Sequence, residues 1–169
     1  MLVRKLQQPY GVTPVGGGVV VVAEAGSGKL LRVDAAGQVS TVAADLSRPC
    51  EVVTANDGTL FVSELGKGRV ARVDQGGVVS SVVDGLDQPK GIALRQDTLL
   101  VLDRGTKELC AVHLSTGQQQ TLATHLPVGD PAGVSRGPMD FSGGLAVGSD
   151  GTIFIAGDGE GSVLTLRSL

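Results

Sequence analysis

Aromatic side chains are almost missing from this sequence: it has no Trp, one Tyr and three Phe in 169 residues. A core must therefore be assembled from aliphatic residues, and the abundant Val suits a pleated, half-buried surface. Cysteine and histidine are equally scarce, with two of each. Cys50 and Cys110 make no disulfide framework. The two histidines, His113 and His125, leave no Ser-His-Asp or Cys-His arrangement that spacing would support. No apolar run approaches the roughly 18 residues needed to cross a bilayer. The opening MLVRKLQQPYG lacks the apolar stretch of a secretory leader. A cytoplasmic protein is the default reading, with a secreted mature form left open. A formal net charge of −3 builds no basic face, which argues against nucleic acid or anionic membrane as a partner.

Glycine is plentiful instead, at 26 residues, and 41% of the chain is hydrophobic. That is enough for one domain with a core. Much Gly and Val, with no long Ala/Leu/Glu/Lys stretches, predicts many short strands joined by tight turns.

The stretch VVVVAEAGSGKLLRVD, residues 19–34, poses the sharpest question. Its Gly-Ser-Gly-Lys comes after an apolar run, as a phosphate-binding loop would. That loop needs a Gly five residues before Gly28 and a Ser or Thr after Lys29, but Ala23 and Leu30 stand there. The Val-rich run after Lys29 reads as a strand, whereas phosphate binding needs a helix N-terminus.

A repeat explains the stretch better. AEAGSGKLLRVDAAGQVSTV returns as SELGKGRVARVDQGGVVSSV at 63–82. Glu24 maps to Glu64, and Arg32-Val33-Asp34 maps to Arg72-Val73-Asp74. A third copy starts at Leu102 with Asp103 in the acidic slot, and a fourth at Ala156 with Gly157 there. Pro9, Pro49 and Pro89 mark three units at the same interval. The lysine is not kept, since Arg69, Glu108 and Ser162 take its place. Each unit of about 40 residues reads as four short strands, the pattern of β-propeller blades. In the third unit these are 91–94, 98–103, 108–114 and 119–124. Asp57-Gly58 and Asp150-Gly151 suit two-residue hairpins with positive φ at both residues.

The expected fold is an all-β propeller of four four-stranded blades in one domain, residues 1–169. The blades are 9–46, 49–86, 89–126 and 142–169, with an insertion at 127–141. LVRKLQQP aligns with VAADLSRP and VVDGLDQP, so residues 2–6 are expected to complete the last blade, within the chain or across two chains. Such closure would remove an exposed sheet edge. The chain could close alone, stay open, or join a second copy in a larger ring; apolar blade faces favour self-association.

The pattern PKGIALRQDTLLVLDRGTKELCAV resembles NHL-repeat propellers, and FVSELGKGRVARVDQGG is similar to streptogramin (virginiamycin B) lyase and gluconolactonase relatives. The resemblance covers nearly the whole chain, but has fewer blades than the six or seven usual in those families. It implies either a ligand- or protein-binding module or a divalent-metal-dependent lyase or lactone hydrolase. Whether the chain is an enzyme is open at this point. The lyase relatives use a histidine with acidic residues and a metal, and no His-x-Glu pair occurs here.

In a propeller, turns between second and third strands share a face with the links between blades, around the channel mouth. A small molecule or protein ligand is expected there. Glu24, Glu64 and Asp103 are candidate ligands for Ca²⁺ or Mg²⁺, which favour carboxylate oxygens. The alternative is that each carboxylate bonds backbone N–H groups, since a structural need recurs in every blade. No cofactor is required by this second reading. Other ligand-face candidates are Tyr10, Arg48, Cys50, Lys90, Arg104, Asp130, Arg136 and Asp158, with Glu51, Lys67 and Glu160 beside them. The insertion breaks the repeat on that face and carries Asp130, Arg136 and Asp140. His125 and Asp140 are the candidates for proton handling in an enzyme.

Overall fold

The computed structural model describes residues 2–129 and 144–167. It is all-β among those residues, and its fold is that of β-propeller blades. The chain forms two compact units, residues 1–85 and 86–169.

The first unit holds two four-stranded antiparallel sheets. One runs β1 (Pro9–Gly16), β2 (Val19–Glu24), β3 (Lys29–Val33), β4 (Val39–Ala43). The other runs β5 (Pro49–Thr54), β6 (Leu60–Glu64), β7 (Arg69–Val73), β8 (Val79–Val83). The second unit continues with β9 (Pro89–Arg95), β10 (Thr98–Asp103), β11 (Glu108–His113), β12 (Gln119–Ala123). Among the described residues its last sheet has three strands, β13 (Leu145–Val147), β14 (Ile153–Gly157) and β15 (Ser162–Leu166). Each sheet keeps its strands in sequence order, so every connection within a blade is a hairpin.

The strands of the third blade begin and end within two residues of the spans read from sequence. Alternation fixes which side chains go inside. In the first unit Val21, Ala23 and Leu30 pack with Val52, Leu60, Val62 and Ala71. In the second unit Leu100, Leu102 and Leu109 pack with Ile153 and Ile155. Each core thus lies between two consecutive blades, and burying a Leu or Ile there contributes about 1.5–3 kcal/mol. The inner strands of the first two blades come close enough that Gly11 has no room for a side chain. A Cβ there would sit 2.6 Å from the Cys50 carbonyl oxygen and 2.8 Å from Val52 N.

One expectation needs correction. Asp57-Gly58 and Asp150-Gly151 do not form two-residue turns with two positive φ angles. Only Gly58 (φ 84°) and Gly151 (φ 81°) are left-handed. Ala55 N–H donates to Thr59 O (2.8 Å) and Gly58 N–H to Ala55 O (3.0 Å), which is a three-residue loop with a bulge. The Asp takes an ordinary conformation because its carboxylate caps the loop: Asp57 Oδ1 accepts Thr59 N–H at 2.9 Å, and Asp150 Oδ1 accepts Thr152 N–H at 3.0 Å.

Residues 2–6 form no strand within the single chain, and among the described residues the last sheet comprises β13, β14 and β15. The reason lies in the alignment itself. The repeat equivalents of 2–6 are 42–46, and β4 already ends at Ala43. LVRKLQQP therefore corresponds mainly to a link. Its backbone confirms this, with left-handed Lys5 and Gln8 matching left-handed Asp45 and Arg48.

Candidate functional site

The link face is built around the acidic slot. β2, β6 and β10 each end in a carboxylate, and all three are buried: Glu24, Glu64 and Asp103. Glu24 Oε1 accepts the Gln7 backbone N–H at 2.6 Å, and Glu64 Oε1 accepts that of Ser47 at 2.7 Å. Asp103 accepts two link N–H groups, from Asp87 (2.9 Å) and Gln88 (2.8 Å), and a third from Gly105 in its own turn (3.1 Å). The second oxygens also have partners. Ser27 Oγ–H donates to Glu24, and Arg69 Nε–H donates to Glu64 at 2.5 Å.

The turn after each slot is zipped to the same link. Gly26 N–H donates to Gln7 O (3.0 Å), Gly66 N–H to Ser47 O (3.0 Å), and Arg104 N–H to Gln88 O (3.0 Å). Glycine is needed because the link runs against the turn: a Cβ on Gly26 would lie 2.8 Å from Gln7 O. Gly28 is left-handed (φ 66°), and its carbonyl accepts Leu46 N–H at 3.0 Å. The Gly-Ser-Gly-Lys loop is thus a docked β2–β3 turn, and Lys29 opens a strand.

The fourth blade solves the same problem one residue later. Gly157 is crowded, since a Cβ would lie 2.5 Å from Ser162 Oγ and 3.0 Å from Leu164 Cδ1. Asp158 takes over. Its Oδ1 accepts Gly129 N–H at 3.0 Å, and Gly159 N–H donates to Pro127 O at 2.9 Å. The buried Arg104 guanidinium meets Asp158 Oδ2 at 3.2 Å, tying the β10–β11 turn to the β14–β15 turn. Sequence reading named both residues but not this pairing.

The remaining candidates divide by location. Tyr10 and Cys50 are half-buried on the neighbouring inner strands β1 and β5, and the Cys50 thiol donates to Arg48 O at 3.5 Å. Arg48 is exposed and left-handed (φ 50°), and its carbonyl accepts Leu65 N–H at 3.2 Å. Lys90 is half-buried at the start of β9. His125 is exposed in a left-handed link position (φ 55°) and hydrogen-bonds Thr124 Oγ1 at 3.0 Å. Asp130, Arg136 and Asp140 lie outside the described residues.

Glu51 stands out. The inner strand bulges here, with Pro49 opposite Glu64 and Val52 opposite Val62. The buried Ser63 hydroxyl accepts Glu51 N–H at 3.0 Å. Burial pushes the Glu51 carboxyl above its ordinary pKa, partly offset by the Val52 N–H. The first and third blades carry Gly11 and Gly91 at this position, so the carboxyl belongs to the second blade alone. That break in the repeat was the available sequence signal.

Among the described residues, no group of three or more His, Cys, Asp or Glu side chains could hold a metal ion. The slot carboxylates accept backbone N–H groups of their links, the bonding by which a carboxylate anchors a chain segment.

No family model matches the chain, and no curated protein matches it in sequence. Solved structures do resemble it. A virginiamycin B lyase from Staphylococcus aureus has a TM-score of 0.70 at 13% identity, covering 98% of this chain and 57% of that one. A gluconolactonase from Xanthomonas campestris has a TM-score of 0.76 at 16% identity, covering 95% and 57%. A chain of a nidogen/laminin complex has a TM-score of 0.68 at 17% identity, covering 97% and 66%. At these identities the likeness is one of fold, and such folds carry many functions. The chain spans little more than half the length of the lyase and gluconolactonase structures.

Proposed function

We propose that this chain is a binding module of the NHL-propeller type, taking a small molecule or a protein segment on its link face. One observation carries the reading. The recurring carboxylates Glu24, Glu64 and Asp103 are buried and hold backbone N–H groups of their own links. These are the residues that an enzyme of the metal-dependent kind would need as ligands. As anchors they set the link geometry and leave Tyr10, Arg48 and Cys50 as the variable surface of the first unit.

The test is calcium and magnesium titration by calorimetry, with melting followed in parallel, on the parent chain and on Glu24→Gln/Glu64→Gln. A melting temperature indifferent to cation and chelator, with the double variant less stable, supports the module. Saturable cation binding that the double variant abolishes while remaining folded would overturn it.

A second reading, a lyase or lactone hydrolase, is favoured by Glu51. A half-buried carboxyl with a raised pKa at a strand bulge is suited to proton transfer. In this reading Glu51, and not His125, handles the proton. We also propose self-association, supported by the outer edge of β15, which no strand covers among the described residues.

A further inference from the structure

The fourth blade departs from the other three at its third strand. Leu30 of β3, Val70 of β7 and Leu109 of β11 correspond in the repeat to Val163 of β15. The first three are fully buried, at 0% exposure, whereas Val163 is 72% exposed. Val33, Val73 and Val112 are buried too, and their counterpart Leu166 is only half-buried.

The other three third strands each lie under an antiparallel outer strand. β4 places Ala43 opposite Leu30, β8 places Val83 opposite Val70, and β12 places Ala123 opposite Leu109. Among the described residues no strand does this for β15. Its composition is that of an inner strand set at an edge. The exposed residues of β8 and β12 are all Ser, Thr or Gln, and in β4 Val39 is the single exposed aliphatic. β15 offers Val163 with Leu164 and Leu166 half-buried beside it, and it has no charge or proline to deter pairing.

Two copies of the chain meet this need for each other. Pairing β15 with the β4, β8 or β12 edge of another copy would leave one β15 bare at every step and lengthen the assembly. Pairing β15 with β15 about a two-fold axis covers both and stops at two. Such a pair is antiparallel, as β14 and β15 themselves are. Charge favours the same direction. Glu160 precedes β15, Arg167 follows it, and both are exposed. Antiparallel pairing sets opposite charges alongside at each end, and parallel pairing would set like beside like. Arg167 also lies in the field of Asp150, so this contrast selects the direction and is not the source of the affinity.

We propose that two copies join edge to edge through β15, so that β13, β14 and β15 of each continue into one sheet. Full overlap of the strand, Ser162–Leu166, centres the pair on Leu164. Val163 then stands opposite Thr165 of the second copy. This inference names the surface for the self-association proposed above and rests on that reading.

The test is light scattering and hydrogen exchange on the full chain over a concentration series. Cross-linking is added with Val163→Cys and Thr165→Cys chains in a Cys50→Ser/Cys110→Ser background. Both positions are exposed, so the new cysteines leave the core intact. The mass is expected to rise to twice 17.1 kDa with concentration. The β15 amides should then exchange at least about tenfold more slowly, with β4, β8 and β12 unchanged. A mixture of the two cysteine chains should form disulfides faster than either chain alone. A mass of one chain at every concentration overturns the self-association and this inference together. A dimer whose β15 amides exchange as fast as in the single chain leaves self-association standing and overturns the β15 pairing. Protection at β4, β8 or β12 in its place does the same. Cross-linking no faster in the mixture overturns the antiparallel register.

Discussion

The Glu64 carboxylate accepts the Ser47 backbone N–H at 2.7 Å, and its side chain has no exposed surface. This bond joins the end of β6 to the link that leads into β5, so one side chain sets both the turn and the entry of its blade. Replacing Glu64 by Gln keeps the shape but removes the charge that Ser47 N–H and Arg69 both address. The expected cost is about 1.5–3 kcal/mol, as for hydrogen bonds to charged groups. Lys67 reaches the same carboxylate at 3.7 Å with 46% of its side chain exposed, so Lys67→Ala should change stability by less than about 1 kcal/mol. Urea unfolding of both variants checks the contrast. Equal effects would mean that Glu64 acts as a surface charge.

Gly11 is required by packing, since the backbone of β5 fills the place of its side chain. Gly11→Ala should destabilise the first unit by about 1–3 kcal/mol, the range for overpacking. Gly17 offers a control of a different kind, because it is left-handed (φ 60°) with nothing within 4 Å of a Cβ. Its cost to Ala is conformational, about 1 kcal/mol. Hydrogen exchange tells them apart, with lost protection in β1 and β5 for Gly11→Ala and only at the β1–β2 turn for Gly17→Ala.

Glu51 has its pKa raised by burial, so the native state holds its proton at a pH where the unfolded chain has released it. Stability from this group is fully present below the ordinary value of 4.5 and falls as pH rises through the raised native value. Glu51→Gln should therefore be more stable than the parent at neutral pH, with the difference closing in acid. Asp57 has the opposite sign. Its pKa is held down, first by the Thr59 N–H, so its contribution is present above 3.8 and is lost as pH falls through the native value. Melting temperatures from pH 3 to pH 8 on Glu51→Gln and Asp57→Asn read both slopes, and a flat difference for Glu51→Gln would rule out the buried carboxyl.

The outer edge of β15 exposes Val163, at 72% of its surface. Light scattering on a sizing column should give twice the 17.1 kDa chain mass if a second copy covers this edge. Val163→Lys places a charge on the edge and should return the mass to that of one chain. A parent chain that already reads 17.1 kDa at all concentrations would remove the proposed association.

The period and the blade were determined by the sequence alone. A unit of four strands with a Pro anchor, an acidic slot and a glycine turn repeats because each blade meets the same local demands. Residues such as Val21, Leu30 and Leu102 follow the period of two and go inside for that reason. Only the tertiary structure shows which groups the polar residues meet. Glu24, Glu64 and Asp103 could equally be cation ligands or anchors by their spacing, which says nothing of which N–H groups face them. The handover from Gly157 to Asp158 goes with crowding of Gly157 by Ser162 and Leu164, which no alignment displays.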